Sequence, residues 1–161
     1  MRISPDGIAL IKSFEGCKLE AYLCPAGVPT IGWGSTLRVR MGDKITQTEA
    51  DRRVLDELAR YEFAVEDAIA RPPGVAAAKP TQNQFDAMVS LCYNIGPGHF
   101  RTSSVIRRFV QGDITGAAQA FLMWNKGRAE DGTLKVLPGL VKRRKAELAM
   151  FLGVQSTSEN A

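Results

Sequence analysis

SFEGCKLEAYLCPAGVPTIGWG, residues 13–34, is the stretch whose reading decides the rest of the chain. It starts at the end of an apolar-periodic helix, with Glu15 in the last turn. It then runs through an extended segment carrying Tyr22 and Cys24, turns at Pro25-Ala26-Gly27, and returns through Thr30 in a strand punctuated by Gly32 and Gly34. One helix-to-hairpin transition therefore gathers a carboxylate, a thiol and a hydroxyl. The helix itself is well specified: Ser4 caps it, Pro5 suits the first helical position, and Asp6 complements the positive end. Ile8, Leu10, Ile11 and Phe14 share one face, and Gly16 reads as a left-handed stop. In the last turn the macrodipole and partial burial both disfavour a charged Glu15, which suits a group that must hold a proton. Taken alone, most such glutamates are ordinary solvated helix-end residues.

The spacing supplies what Glu15 alone does not. Eight residues separate Glu15 from Cys24, and five separate Cys24 from Thr30. Together with Ser13-Phe14-Glu15-Gly16, Leu19-Glu20-Ala21-Tyr22 and Pro29-Thr30-Ile31-Gly32-Trp33-Gly34, this resembles the Glu-8-Asp/Cys-5-Thr arrangement of the phage-type lysozymes, the T4- and P22-like endolysins. The resemblance implies Glu15 as proton donor to the glycosidic oxygen, Cys24 as the group on the opposite face of the sugar, and Thr30 as the holder of the attacking water. Cys24 departs from the commoner aspartate. A thiolate either deprotonates water or attacks the anomeric carbon. Both roles require a thiol held below its usual range of about 8.5, or an alkaline activity optimum.

Composition bounds the alternatives. The 161 residues suffice for one domain with a substantial core. No apolar run approaches the roughly 20 residues of a membrane span, and the capped N-terminal helix does not read as a signal peptide or signal anchor. Three cysteines, Cys17, Cys24 and Cys92, are too few and odd-numbered for a disulfide framework, and a single histidine, His99, argues against a metal site. The chain is therefore expected to accumulate in the host cytoplasm as a monomer, and the resemblance implies a holin that opens the way to its peptidoglycan substrate. The net charge of +4 is concentrated in residues 81–153, which suits an anionic envelope. Nucleic acid would also attract it, but no reader motif is present, so neither nucleic acid nor membrane insertion is expected.

Along the chain, strands are expected near 19–24, 28–33 and 36–40. A capping box at Thr46-Gln47-Thr48-Glu49 opens a helix running to Ala70, with Val54, Leu58, Tyr61, Val65 and Ile69 as its buried stripe. Arg71 to Gly74 stops it, and 75–80 is a loop. A helix from Thr81 buries Phe85, Met88, Val89 and Cys92, and breaks at Tyr93–Gly98. That break resembles the Phe/Tyr-Asn-x-Gly segment of the same lysozymes and implies Asn94 and Gly96 near the substrate. Helices follow from Ser103 or Ser104 to Gly112, from Ile114 to Trp124, and from Pro138 to Gly153, the last with Leu140, Val141, Leu148, Phe151 and Leu152 inward. Asn125–Leu137 reads as a polar loop able to line a cleft. Lys142-Arg143-Arg144-Lys145 reads as a solvated face, although Pro138-Gly139-Leu140 through Arg143-Arg144 to Glu147 resembles a family signature whose arginines are structural or substrate-facing. Tyr22 shares a strand face with Cys24 and is placed at the cleft, while Trp33 and Trp124 are placed in the core.

The expected fold is α+β and mainly α. Lobes of residues 1–45 and 71–153 would be joined by the helix 46–70, with 154–161 a tail. The expected activity is hydrolysis of the β-1,4 bond between N-acetylmuramic acid and N-acetylglucosamine, without metal or organic cofactor. A lytic transglycosylase and a non-catalytic wall-binding module are the alternatives.

Overall fold

The computed structural model describes residues 1–24, 26–70, 79–128 and 132–154. The expected helix stop at Arg71–Gly74, most of the loop that follows it, the tail beyond Val154 and the Pro25 position of the hairpin turn lie outside the described residues. Seven helices and two small antiparallel pairs are seen among those that are described: α1 (Pro5–Phe14), β1 (Lys18–Leu23), β2 (Pro29–Gly32), α2 (Gln47–Ala70), α3 (Gln82–Ile95), α4 (Pro97–Arg101), α5 (Ser104–Val110), α6 (Ile114–Ala120), β3 (Lys126–Arg128), β4 (Leu134–Val136) and α7 (Pro138–Phe151).

The core is built around α3, which packs against α1, α2, α4 and α7. Every residue from Phe85 to Cys92 is buried, so this stretch of α3 is covered on all sides instead of along one stripe. Its start is fixed by a full capping box, with Thr81 and Gln84 each satisfying the other's backbone N–H. Asp86 is buried, yet it accepts from the Ser4 backbone N–H, the Ser4 hydroxyl and Gln82 Nε2. The carboxylate thus ties the cap of α1 to the central helix. The expected stripe of α2 is buried in full: Val54, Leu58, Tyr61, Val65 and Ile69. At about 1.5–3 kcal/mol for each large apolar side chain removed from water, this stripe holds α2 in place. The helix reaches β2 near one end and α3, α4 and α5 along the rest.

Several local expectations are corrected. The helix before the hairpin ends at Phe14, and Glu15 is its cap with extended backbone (φ −98°, ψ 114°). Gly16 does not take the left-handed conformation. No strand forms at 36–40; the Ala21 N–H bonds to the Asp43 carbonyl and the Ile45 N–H to the Leu19 carbonyl, so residues 43–45 flank β1 in its place. The left-handed backbone of Arg38 (φ 55°) is incompatible with a strand there. Tyr93 and Asn94 remain helical, and the break comes one turn later at Gly96 (φ 84°). The described part of the 125–137 loop contains the β3–β4 pair. On α7, Leu152 is exposed and Phe151 buried, while Leu140, Val141 and Leu148 are half-buried. The supposed solvated run is split: Lys142 and Lys145 face water, but Arg143 and Arg144 are buried with Glu147. Trp33 and Trp124 pack against the core from its edge, and Cys92 lies within it.

Candidate active site

The backbone turn at Glu15 carries its carboxylate out of α1 toward α7. Arg143 Nη1 donates to Glu15 Oε1 at 2.6 Å. The same guanidinium donates through Nε to Glu147 Oε1 (3.1 Å) and through Nη2 to the Ser90 carbonyl (3.3 Å). Arg144 approaches Glu147 from the other side, with Nη2 2.9 Å from Oε1 and Nε 2.8 Å from Oε2. The Ser90 hydroxyl adds a third donor to Oε1 at 2.7 Å. With both carboxylates ionised, the two guanidiniums are balanced in charge. Burial pushes the Glu147 carboxyl up, and Arg144, Arg143 and Ser90 oppose that push. The cluster fixes Glu15 by one oxygen.

The other oxygen looks onto a backbone with no side chain. A Cβ added to Gly34, whose φ is 100°, would sit 3.8 Å from Glu15 Oε2 and 3.6 Å from Tyr93 Oη. Tyr93 Oη donates to the Trp33 carbonyl at 2.7 Å, holding this turn against α3. Burial first, and the charges of Glu15 and Glu57 second, push the Tyr93 phenol well up, so it remains a neutral donor. Trp33 is held on its other side by Nε1 donating to Asp51 Oδ1 at 2.7 Å, an atom that Lys12 also reaches.

The hairpin supplies the second group of residues. Tyr22 and Thr30 are direct cross-strand partners and share a face; Cys24, two residues beyond Tyr22, follows the same alternation. The turn is closed by Gly27 N–H on the Cys24 carbonyl (2.8 Å) and Cys24 N–H on the Val28 carbonyl (3.0 Å). The buried Thr30 hydroxyl donates to the Val28 carbonyl at 2.9 Å. The Cys24 thiol is held below its ordinary range, chiefly by the backbone N–H of Val28, then by that of Ala26, with a smaller effect from the Thr30 hydroxyl. Burial raises the Tyr22 phenol, and the charges of Cys24 and Glu15 raise it further. Tyr22 thus lies within electrostatic reach of both groups. Lys18 Nζ rests 4.1 Å from the centre of its ring.

Two open volumes meet at Glu15 and Asn94. One, of about 370 Å³, is lined by these two with Gly34, Leu37, Glu57 and Tyr93, among others. The other, of about 420 Å³, lies between them and Phe14, Leu137, Leu140 and Arg143. Asn94 is thus placed beside Glu15, whereas Gly96 lines neither volume and acts through its backbone at the end of α3. Sequence reasoning did not select Arg143, Ser90, Glu147, Tyr93, Gly34 or Glu57 as site residues. Among the described residues no three His, Cys, Asp or Glu side chains gather to hold a metal ion, and no helix is long and apolar enough to cross a membrane.

Residues 12–147 match the family model described as phage lysozyme. The chain belongs to the phage lysozyme family. Membership makes it a peptidoglycan-hydrolysing enzyme of the endolysin kind. It is 40% identical to the endolysin of Acyrthosiphon pisum secondary endosymbiont phage 1 over 94% of this chain and 98% of that one. Among solved structures it is similar to the muramidase domain of SpmX from Asticaccaulis excentricus (TM-score 0.83, 40% identity, 94% of this chain and 97% of that chain). It is similar also to the endolysin from Escherichia coli O157:H7 phage FAHEc1 (TM-score 0.82, 39% identity, 94% of each chain).

Proposed function

We propose that this family member is a muramidase: it hydrolyses the β-1,4 bond between N-acetylmuramic acid and N-acetylglucosamine, with Glu15 as general acid, Cys24 as base or nucleophile, and Thr30 as the holder of the attacking water. The observation that carries the reading is the Glu15 carboxyl, pinned by Arg143 on Oε1 with Oε2 left beside the bare backbone of Gly34, at the meeting point of two open volumes. The 40% identity to a muramidase domain supports it.

In this reading a glycan strand lies across Glu15 and Asn94. Oε2 carries the proton given to the leaving glycosidic oxygen, and the guanidinium on Oε1 keeps the carboxyl from rotating away. Asn94, exposed at the junction, hydrogen-bonds the sugar, and Tyr22 lies along the same strand face as Cys24. The lowered Cys24 thiol serves either as base toward a water held by Thr30 or as nucleophile. Inversion of the released anomeric centre marks the first, retention the second. The reading also takes α2 as the connection between a hairpin lobe and a helical lobe, and a monomer reaching the wall through a holin-made opening.

The test is mass spectrometry of fragments released from purified peptidoglycan by wild type and Glu15→Gln. Reducing N-acetylmuramic acid ends from wild type, lost in the variant, are the expected result. Anhydro ends would mean a transglycosylase and leave Thr30 without its role; no fragments from either protein would mean a binding module.

A further inference from the structure

The groove does not stop at Leu37. A further volume of about 280 Å³ is lined by Leu37, Arg38, Arg52, Arg53, Asp56 and Glu57, and shares Leu37, Asp56 and Glu57 with the space beside Glu15. Two of its three arginines are already neutralised within α2. Arg52 lies 3.3 Å from Asp56 and Arg53 3.0 Å from Glu49. Arg38 differs: among the described residues its guanidinium has neither hydrogen bond nor ion pair. Its left-handed backbone (φ 55°) is one that a residue with a Cβ adopts rarely. The turn anchors Val39 inward while leaving Leu37 69% exposed, so Leu37 and Arg38 are held out at the mouth of this extension. Glu57 is half-buried at the junction of the two volumes and also has no hydrogen-bond or ion-pair partner among the described residues.

We propose that this extension is a subsite for a muramyl sugar distant from the cleaved bond. Arg38 binds the carboxylate of the sugar's lactyl or peptide substituent, and Glu57 accepts hydrogen bonds from the sugar's hydroxyl or amide groups. The proposal rests on reading the cleft as a peptidoglycan site. N-acetylglucosamine carries no anion. A muramyl sugar carries a lactyl group whose carboxylate is either free or amide-linked to a peptide with carboxylates of its own. Arg38 lines only the extension, whereas Glu57 also lines the space beside Glu15; the two charges, without partners among the described residues, give the strand a direction, drawing the anionic substituent to Arg38 and the neutral ring to Glu57.

The test compares affinities by titration calorimetry in the Glu15→Gln background, where the glycan stays intact. Three ligands of equal sugar length serve as probes: peptide-bearing glycan, amidase-treated glycan with its lactyl carboxylate free, and the corresponding chitooligosaccharide. Carboxylate-bearing glycan should bind more tightly than the chitooligosaccharide, and adding Arg38→Ala should shrink that gap by about two- to fivefold, the range of a solvent-exposed ion pair. Arg38→Gly, which relieves the backbone, should behave as Ala does, and Arg38→Lys should keep most of the gap. Whichever carboxylate-bearing glycan shows the Arg38-dependent gap identifies the carboxylate that is bound. Absence of a gap in the background protein, or a gap that survives both Ala and Gly, would overturn the proposal. A gap that depends on Arg38 in a protein whose wild type releases no fragments would keep this subsite and discard the muramidase reading.

Discussion

Replacing Glu147 by Gln tests whether the buried cluster behind Glu15 acts as one neutral unit. The side chain keeps its shape and an acceptor for Ser90, but the carboxylate that both guanidiniums share is gone. Arg143 is 3% exposed and Arg144 fully buried, and Arg144 has Glu147 as its ion-pair partner. Leaving a buried charge without its partner costs about 3–5 kcal/mol. In a domain of this size each kcal/mol moves the melting temperature by about 2–4 °C, so Tm should fall by about 6–20 °C, read by circular dichroism. Removing a cation as well should recover part of the loss: Glu147→Gln with Arg144→Met leaves Arg143 and Glu15 as a balanced pair. The double variant should therefore be more stable than the two single losses added together. A Glu147→Gln melting point within about 2 °C of wild type, or strictly additive losses in the cycle, would refute the neutral-unit argument.

Four shorter predictions follow from the same geometry. Cys24→Asp should preserve substantial hydrolysis and Cys24→Ser should lose most of it, measured as release of soluble fragments from peptidoglycan; equal rates for Ser and Cys would remove the thiol from the chemistry. Iodoacetamide at neutral pH, followed by peptide mass spectrometry, should label Cys24 first and Cys92 last. The Cys24 thiol is lowered by backbone N–H groups and so is ionised at lower pH, whereas burial pushes Cys92 up to about 12. Gly34→Ala should cut kcat more than KM, because it places a methyl group beside Glu15 Oε2 and Tyr93 Oη on a backbone of φ 100°. Gly7→Ala should lower folding stability by about 1–3 kcal/mol in urea unfolding, since the new Cβ would meet Ile3 Cγ1 at 2.6 Å and Asp86 Cβ at 2.8 Å.

What the sequence made legible was what local spacing encodes. The stripe on α2 is a 3–4 repeat within one helix, and the helix starts read at Ser4 and Thr81 are caps that each bond to an N–H three residues on. The pairing of Tyr22 with Thr30 follows from a short turn between two strands. The strand expected at 36–40 failed for an equally local reason, since a left-handed Arg38 cannot be read from an arginine codon in a loop. Glu15 was visible only as half of a pair. Its partner Arg143 lies 128 residues away, and no local pattern announces a contact of that separation.

A signal for the other half was nonetheless present in α7. Leu140, Arg143, Arg144, Glu147 and Phe151 recur at intervals of three and four, so the arginines lie on the stripe of the helix that buries Phe151. A solvated basic face would instead put them opposite that stripe, as Lys142 and Lys145 are. Two arginines on an inward stripe need a carboxylate within the same turn, and Glu147 supplies one charge for two. The stripe therefore demands a second anion from elsewhere in the chain. The geometry of α1 answers it: because the helix ends at Phe14 and Glu15 leaves in extended backbone, the carboxylate reaches across to Arg143. The charge imbalance on α7 and the carboxylate displaced from α1 are one arrangement, and it sets the orientation of the acid at the centre of the groove.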